Sequence, residues 1–428
     1  MRRRLLLVAA ALVIVLIGLG AAYVLHVKKQ GRDVRGSSVE FVPTLSVLGP
    51  PKPKPKPAPK PSRNGKVRGP GIVWPMYGHD PERLRVATGV SLAPPFRRAW
   101  MFRARSLIEF PPAIAYGRLF FANNAGVVFA ISAKTGKRAW RFPSGRCQAM
   151  SPAVADNTVY ATFLNKPPCN ATGGDGELIA FWAGSGRVRW RRSIGPSESS
   201  PLLHGGAVYV GDWNGRVASY SAATGKLLWS FQADGQVKDG LAFAGNRVFF
   251  GTYGSKVYAL NASTGERVWE ADAQPRLGQT GRFYSTPAVA YDRVYIGATD
   301  GKVYSFGATT GDLRWSQSTG GYVYSSPAVW RERVYAGSYS GSFFCFDAAT
   351  GDVLRSFHAS GSISGSATIV AGRVYFSTLT GRTYALDATT GHELWSFPDG
   401  KYSPVVADAR RLYLVGYTRI YGLDEKRG

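Results

Sequence analysis

From residue 71 to the C-terminus, apolar residues fall in runs of four to six, rich in Val, Tyr and Ala and broken by Gly, Asp or Asn. The stretch Tyr284–Gln317 shows the unit: YSTPAVAY, DRVYIGAT, GKVYSFGA, then a TTGD turn and LRWSQ. Runs of this length and composition predict short strands joined by tight turns, and no sustained helical period appears after residue 70.

The turn before the last strand of each unit carries a motif, Ala-x-Thr-Gly with Trp four residues after the glycine. It occurs at Ala133–Trp140, Ala222–Trp229, Ala262–Trp269, Ala308–Trp315 and Ala388–Trp395, and degenerate copies end at Trp190 and Arg355. The glycines stand at 136, 186, 225, 265, 311, 351 and 391, so the intervals are 50, 39, 40, 46, 40 and 40 residues. Four strands in a period near forty describe a β-propeller blade. Glycine accepts positive φ in the turn, and the Thr hydroxyl caps its backbone. The Trp, on the outermost strand, is placed to cover the neighbouring blade.

Seven turns mark seven blades. The C-terminal segment Ser403–Asp424 supplies three further strands and stops where the next turn should come. Upstream, FRRAWMFRA at Phe96–Ala104 reads as an orphan outer strand with Trp100 in the Trp position. One N-terminal strand added to the three C-terminal ones closes the ring and leaves no free sheet edge. The expected architecture is therefore all-β: an eight-bladed, monomeric propeller over residues 73–428. Its docking tryptophans would be Trp100, Trp140, Trp190, Trp229, Trp269, Trp315 and Trp395.

Two segments precede it. Residues 1–30 hold a basic start and an apolar run, Leu5–Leu25, long enough to cross a bilayer and longer than the core of a secretory signal. Gly20-Ala21-Ala22 is a weak cleavage site, and no cysteine follows for a lipid anchor. We expect an uncleaved single-pass anchor in the cell membrane with the propeller outside the cytoplasm. Basic residues flank both ends of the run, so charge does not set the orientation. Residues 31–72 contain PPKPKPKPAPKP at Pro50–Pro61 and read as a disordered, extended linker of polyproline character.

Net charge is +26: fourteen Lys and Arg against two acids in residues 1–70, and 39 against 25 in the rest. The propeller is thus basic without its tail, which favours an anionic partner such as an acidic protein face or envelope polymer. No nucleic-acid-binding motif accompanies the charge. Three cysteines make no disulfide scaffold, although Cys147 and Cys169 both fall in the second blade and can close its long loop in an oxidising compartment. Cys345 reads as a buried free thiol. Neither cysteines nor the five histidines have metal-site spacing.

The repeats resemble the pyrroloquinoline-quinone (PQQ) type propeller repeat, through the Ala-x-Thr-Gly-x-x-x-Trp motif and the opening WPMYGHDPERLR at Trp74–Arg85. That family holds quinoprotein dehydrogenases, which bind PQQ and calcium, and BamB-like scaffolds, which bind protein without a cofactor. The chain lacks the adjacent cysteine pair of many family enzymes, and its loops are short. The resemblance therefore implies a non-catalytic scaffold for a protein or anionic envelope component, with no cofactor, metal or catalytic residue. The alternatives are a PQQ- and calcium-dependent alcohol or sugar dehydrogenase, and a small-anion sensor using the central channel. Positions just before each innermost strand should line that channel: Glu109, Glu198, Lys238, Asp239, Tyr284, Tyr324, Lys401 and Tyr402. Two insertions, Asn165–Gly176 and the connection DAQPRLGQTGRF, should emerge on one face; Trp182 and Trp213 lie off the docking position, which leaves them either exposed on that face or packed in the core.

Overall fold

A computed structural model describes residues 2–42, 71–87, 89–169, 174–403 and 405–426. The Pro/Lys run at 50–61 lies outside these residues. From residue 71 the strands form eight antiparallel blades around one axis. Blade 5 is typical: Ala288–Ala290 innermost, then Arg293–Gly297, Lys302–Gly307 and Leu313–Ser318 outermost. Blade 8 takes three strands from the C-terminus and its outer strand, Phe96–Arg103, from the N-terminal side. The pairing runs from Phe96↔Glu425 to Arg103↔Arg419, so the ring closes as the sequence predicts.

The motif works at the seams between blades. Trp100, Trp140, Trp190, Trp229, Trp269 and Trp315 each lie over the motif glycine of the next blade, where an added Cβ would stand 2.6–2.7 Å from a ring carbon. Those glycines have φ between +69° and +79°. Each indole N–H also donates to the carbonyl of the first motif residue, at 2.9 Å for Trp229 to Ala262 and 3.0 Å for Trp315 to Ala348. Glycine is thus required twice, for the left-handed backbone and for the close ring. The Thr hydroxyl accepts the amide two residues on, as Thr224 does from Lys226 at 3.2 Å.

Two seams differ. Arg355 replaces the ring over Gly391, with its Cδ 3.2 Å from an added Cβ. Trp395 is half-buried and packs edge-on against Phe96 at 5.4 Å, because blade 8 has no Thr-Gly turn for it to cover. Its expected docking role is corrected on that ground.

The segment Ile72–Ala87 threads the ring. Ile72–Trp74 pairs with the inner strand Ala113–Ala115 of blade 1, and Val86–Ala87 runs parallel to the inner strand Thr368–Val370 of blade 7. Between them the carbonyls of Pro75, Pro81, Glu82, Leu84 and Arg85 accept amides of Val154, Phe243, Val289, Val329 and Ile369 at 2.7–3.1 Å. Four further inner strands are thereby tied to the same stretch of backbone, satisfying groups that a hollow channel would leave to water.

The N-terminal helix spans Arg2–Gln30. Its stretch Ala11–Lys29 has a mean hydropathy of 2.1, long and apolar enough to cross a membrane, and none of it is buried. Residues 31–42, expected to start a disordered linker, instead lie against the edge of blade 5. Val34 and Ser316 exchange both backbone hydrogen bonds at 2.9 Å.

Candidate functional site

The threaded segment turns the channel into a blind funnel. Its floor is built from Tyr77, Arg83 and Arg85, all buried. Arg83 donates from Nε to the Leu241 carbonyl at 2.7 Å, and its other nitrogens reach the carbonyls of Tyr77, Ser200 and Pro201. Burial and the neighbouring Arg85 bring its guanidinium down to about 9. Arg85 donates to Pro327 O at 2.9 Å and stacks over the Tyr77 ring at 4.8 Å. These cations brace the plug from within.

The funnel opens on the face opposite the Thr-Gly turns, at the residues that precede the inner strands. Glu109, Asp239, Tyr284, Tyr324 and Tyr402 line one narrow cavity of about 30 Å³ with Tyr77 and Phe110. Asp239 accepts from the amides of Gly240 at 2.7 Å and Thr286 at 3.0 Å, so its carboxylate ties blade 4 to blade 5. Burial still raises its pKa, against those hydrogen bonds. Glu109 is raised by burial too, partly offset by a hydrogen bond from Asn124 at 3.3 Å. Burial pushes Glu198 up to about 8, opposed by Lys238 and reinforced by Glu109 and Asp239. Glu198 is therefore mostly uncharged at neutral pH. Lys238, lowered by burial, rests its ammonium 3.7 Å from the centre of the Trp213 ring.

Lys401 does not join this group. Its ammonium lies over Tyr417, 4.6 Å from the ring centre, and 5.7 Å from that of Tyr402. The two lysines expected to hold an anion thus do not converge. Tyr253, Tyr322 and Tyr339 extend the aromatic lining outward, through contacts of 5.9 Å from Tyr253 to Tyr284 and 4.9 Å from Tyr324 to Tyr339. Sequence reasoning missed them, yet the repeat carries the signal. Trp213, Tyr253 and Tyr339 each stand two residues past the glycine that ends the second strand.

Both insertions emerge on the funnel face. The disulfide between Cys147 and Cys169, with Cα atoms 5.5 Å apart, pins the first insertion to the strand entering blade 2. Arg146 beside it pairs with Asp175 at 2.7 Å and Glu177 at 3.2 Å. Trp182 is a correction. It sits in the turn of blade 2 on the opposite face, where Gly186 N–H donates to its carbonyl, and it stacks under Arg189. Cys345 is buried and free.

These groups do not fit a calcium–quinone site. Calcium takes six to eight oxygens, whereas here Asp239 already accepts two backbone amides and Glu109 the Asn124 side chain. Among the described residues no three His, Cys, Asp or Glu side chains converge as metal ligands. The Trp213 face that a planar ring would use already carries Lys238.

A family model described as outer membrane protein assembly factor BamB matches residues 97–200, 174–362 and 355–428. Tetrathionate hydrolase of Acidithiobacillus ferrooxidans is 27% identical over 200 residues, covering 33% of this chain and 40% of its own length. BamB of Yersinia pestis is 28% identical over 133 residues, covering 28% of this chain and 31% of its own. The chain thus spans less than half the length of these curated relatives. Among solved structures, BamB from Moraxella catarrhalis matches with a TM-score of 0.61 at 19% identity, over 78% of this chain and 99% of that one. Quinohemoprotein alcohol dehydrogenase from Comamonas testosteroni matches at 0.68 and 15% identity, over 83% and 81%. At these identities the structural likeness speaks for the fold alone.

Proposed function

The chain belongs to the PQQ-repeat propeller family described as outer membrane protein assembly factor BamB, and from that premise we propose that it is a membrane-tethered scaffold without chemistry of its own. It works outside the cytoplasm and holds a protein or an anionic envelope polymer on the face that carries the funnel and both insertions. The observation that carries this reading is the internal commitment of the funnel's ionisable groups. Asp239 and Glu109 accept hydrogen bonds from the fold itself and Lys238 covers the Trp213 ring, so of these four groups Glu198 alone, with a buried and unpartnered Oε2, stands uncommitted.

Placement rests on two supports. The apolar helix is long enough to act as an anchor, and a disulfide between Cys147 and Cys169 belongs to an oxidising compartment. The propeller's basic balance supplies the attraction for an acidic partner.

The test titrates the full chain, in detergent, with PQQ and calcium while following tryptophan fluorescence and melting temperature. Saturable binding with a raised melting temperature would overturn the scaffold reading in favour of a dehydrogenase. The expected result is no shift, together with salt-sensitive retention on isolated anionic envelope polymer or on an acidic envelope protein. Charge reversal at Arg282, which lies over the Tyr253 ring at the funnel mouth, should weaken that retention.

A further inference from the structure

Seven blades end in an outer strand of their own, and one of those edges is not free. In Arg138–Pro143, Leu227–Gln232 and Arg267–Asp272 the docking Trp is flanked by exposed residues, while in Leu313–Ser318 of blade 5 no residue is exposed. Trp140, Trp190, Trp229 and Trp269 are each 8% exposed, and Trp315 is 0%. The cover is residues 31–42 of the same chain.

Its contacts are specific. Val34 adds to the outer strand through Ser316, and Gly36 N–H donates to the Thr350 carbonyl at 2.8 Å. Arg35 forms a forked pair with Asp352 at 2.7–3.1 Å, and Glu40 pairs with Arg314. Phe41 packs at a tilt against Tyr291 with ring centres 5.1 Å apart. Lys302, fully buried, donates to both Arg32 O and Gln274 O at 3.1 Å, joining this segment to the second insertion. No side chain fits at two of its positions. An added Cβ would stand 2.7 Å from Arg276 Cα at Gly31, and 2.4 Å from Ala349 O at Gly36.

Gly31 follows the helix end, Gln30, directly, so no spacer separates the apolar helix from the propeller edge. The Pro/Lys run comes later in the chain, between this segment and the first propeller strand. It cannot set the distance between helix and propeller while the segment is docked.

We propose that residues 31–42 are a strap that seats the outer edge of blade 5, with the insertion Gln274–Phe283, on the bilayer surface. The ring then stands on edge and its funnel opens along the membrane plane. The partner is an anionic lipid surface: Lys28, Lys29 and Arg32 are exposed beside the strap, and the insertion presents Leu277, 47% exposed. The seat rests on the membrane-tether reading; the strap's docking does not.

The test uses the full chain in lipid nanodiscs containing anionic lipid. A fluorophore is placed through Leu277→Cys or, on the opposite blade, Arg141→Cys; Cys345 is buried and the other cysteines are bonded. Lipid-borne quencher should quench position 277 several-fold more than position 141. Equal quenching at both overturns the seat. Gly36→Val should abolish the difference and deprotect the Ser316 amide in hydrogen exchange without lowering the propeller's melting temperature. Arg35→Glu should act likewise and be rescued by Asp352→Arg. An unchanged difference in Gly36→Val overturns the strap as its cause. Release of the chain by alkaline carbonate would sink the tether reading and the seat with it, while Ser316 protection would still report the docked strap.

Discussion

The seam between blades 3 and 4 lends itself to a quantitative test. Gly265 has a φ of +78°, and a Cβ there would stand 2.6 Å from the Trp229 ring. The left-handed backbone costs an L-residue about 1–2 kcal/mol. The ring contact adds about 1–3 kcal/mol of overpacking. Gly265→Ala should therefore destabilise the ring by about 2–5 kcal/mol. Trp229→Ala removes a buried ring and its 2.9 Å bond to the Ala262 carbonyl, a loss of about 3–5 kcal/mol. In the double variant the overpacking vanishes because the ring is gone, and only the backbone share of the alanine remains. The two effects should then fall short of their sum by about 1–3 kcal/mol. Urea titrations with equal slopes across the four proteins would read this coupling. The seam at Gly391, where Arg355 Cδ stands 3.2 Å away, serves as a control. A flexible side chain can move, so Gly391→Ala and Arg355→Ala should be additive within about 0.5 kcal/mol. Additivity at Gly265 and Trp229 as well would refute the claim that glycine is held there by the ring.

Three further outcomes follow from the geometry. Glu198 ionises at about 8 in the fold against 4.5 ordinarily, so the folded state holds its proton where the unfolded chain has lost it. Stability should fall as pH rises from about 4.5 to about 8, and Glu198→Gln should flatten that slope in melting curves. Cys169→Ser opens the loop closed by Cys147 over a separation of 22 residues, at a cost of about 3 kcal/mol in the loop-entropy account, and wild-type protein in reductant should melt like the variant. A chain beginning at residue 104 lacks the strand that pairs with Arg419–Glu425. Its bare edge should drive concentration-dependent association, read by light scattering.

The fold was legible because its information is periodic. Six seams repeat one Trp, one glycine and one alanine carbonyl, and Trp100 betrayed the displaced strand by matching the same pattern. The funnel was half legible. Positions before the inner strands brought Glu109, Asp239, Tyr284, Tyr324 and Tyr402 together, since the repeat forces them inward. Lys401 escaped because direction is set by a local partner, the Tyr417 ring. The plug and the strap were illegible for a common reason. Both rest on contacts between distant parts of the chain, such as the carbonyls from Pro75 to Arg85, the Val34 bridge and the Arg35–Asp352 pair, and neither a backbone group nor a surface charge names its partner in the sequence. Gly31 and Gly36 are the only traces of the strap's close approach, and a glycine alone does not say what it approaches. Trp182 was misplaced because a strand-end aromatic can serve either face, and its turn belongs to the opposite one.

The sheet that pairs Phe96 with Glu425 has a consequence for synthesis. A blade made of both ends cannot form until nearly the whole polypeptide is available, and contacts of such sequence separation form slowly. The plug faces the same delay, because its acceptor carbonyls need amides from blades still to be made. A ribosome therefore releases a chain whose blades have begun to pair but whose circle is open. On the scaffold reading proposed above, export would move an open circle through the translocation pore, and the ring would close only after its last strand had crossed.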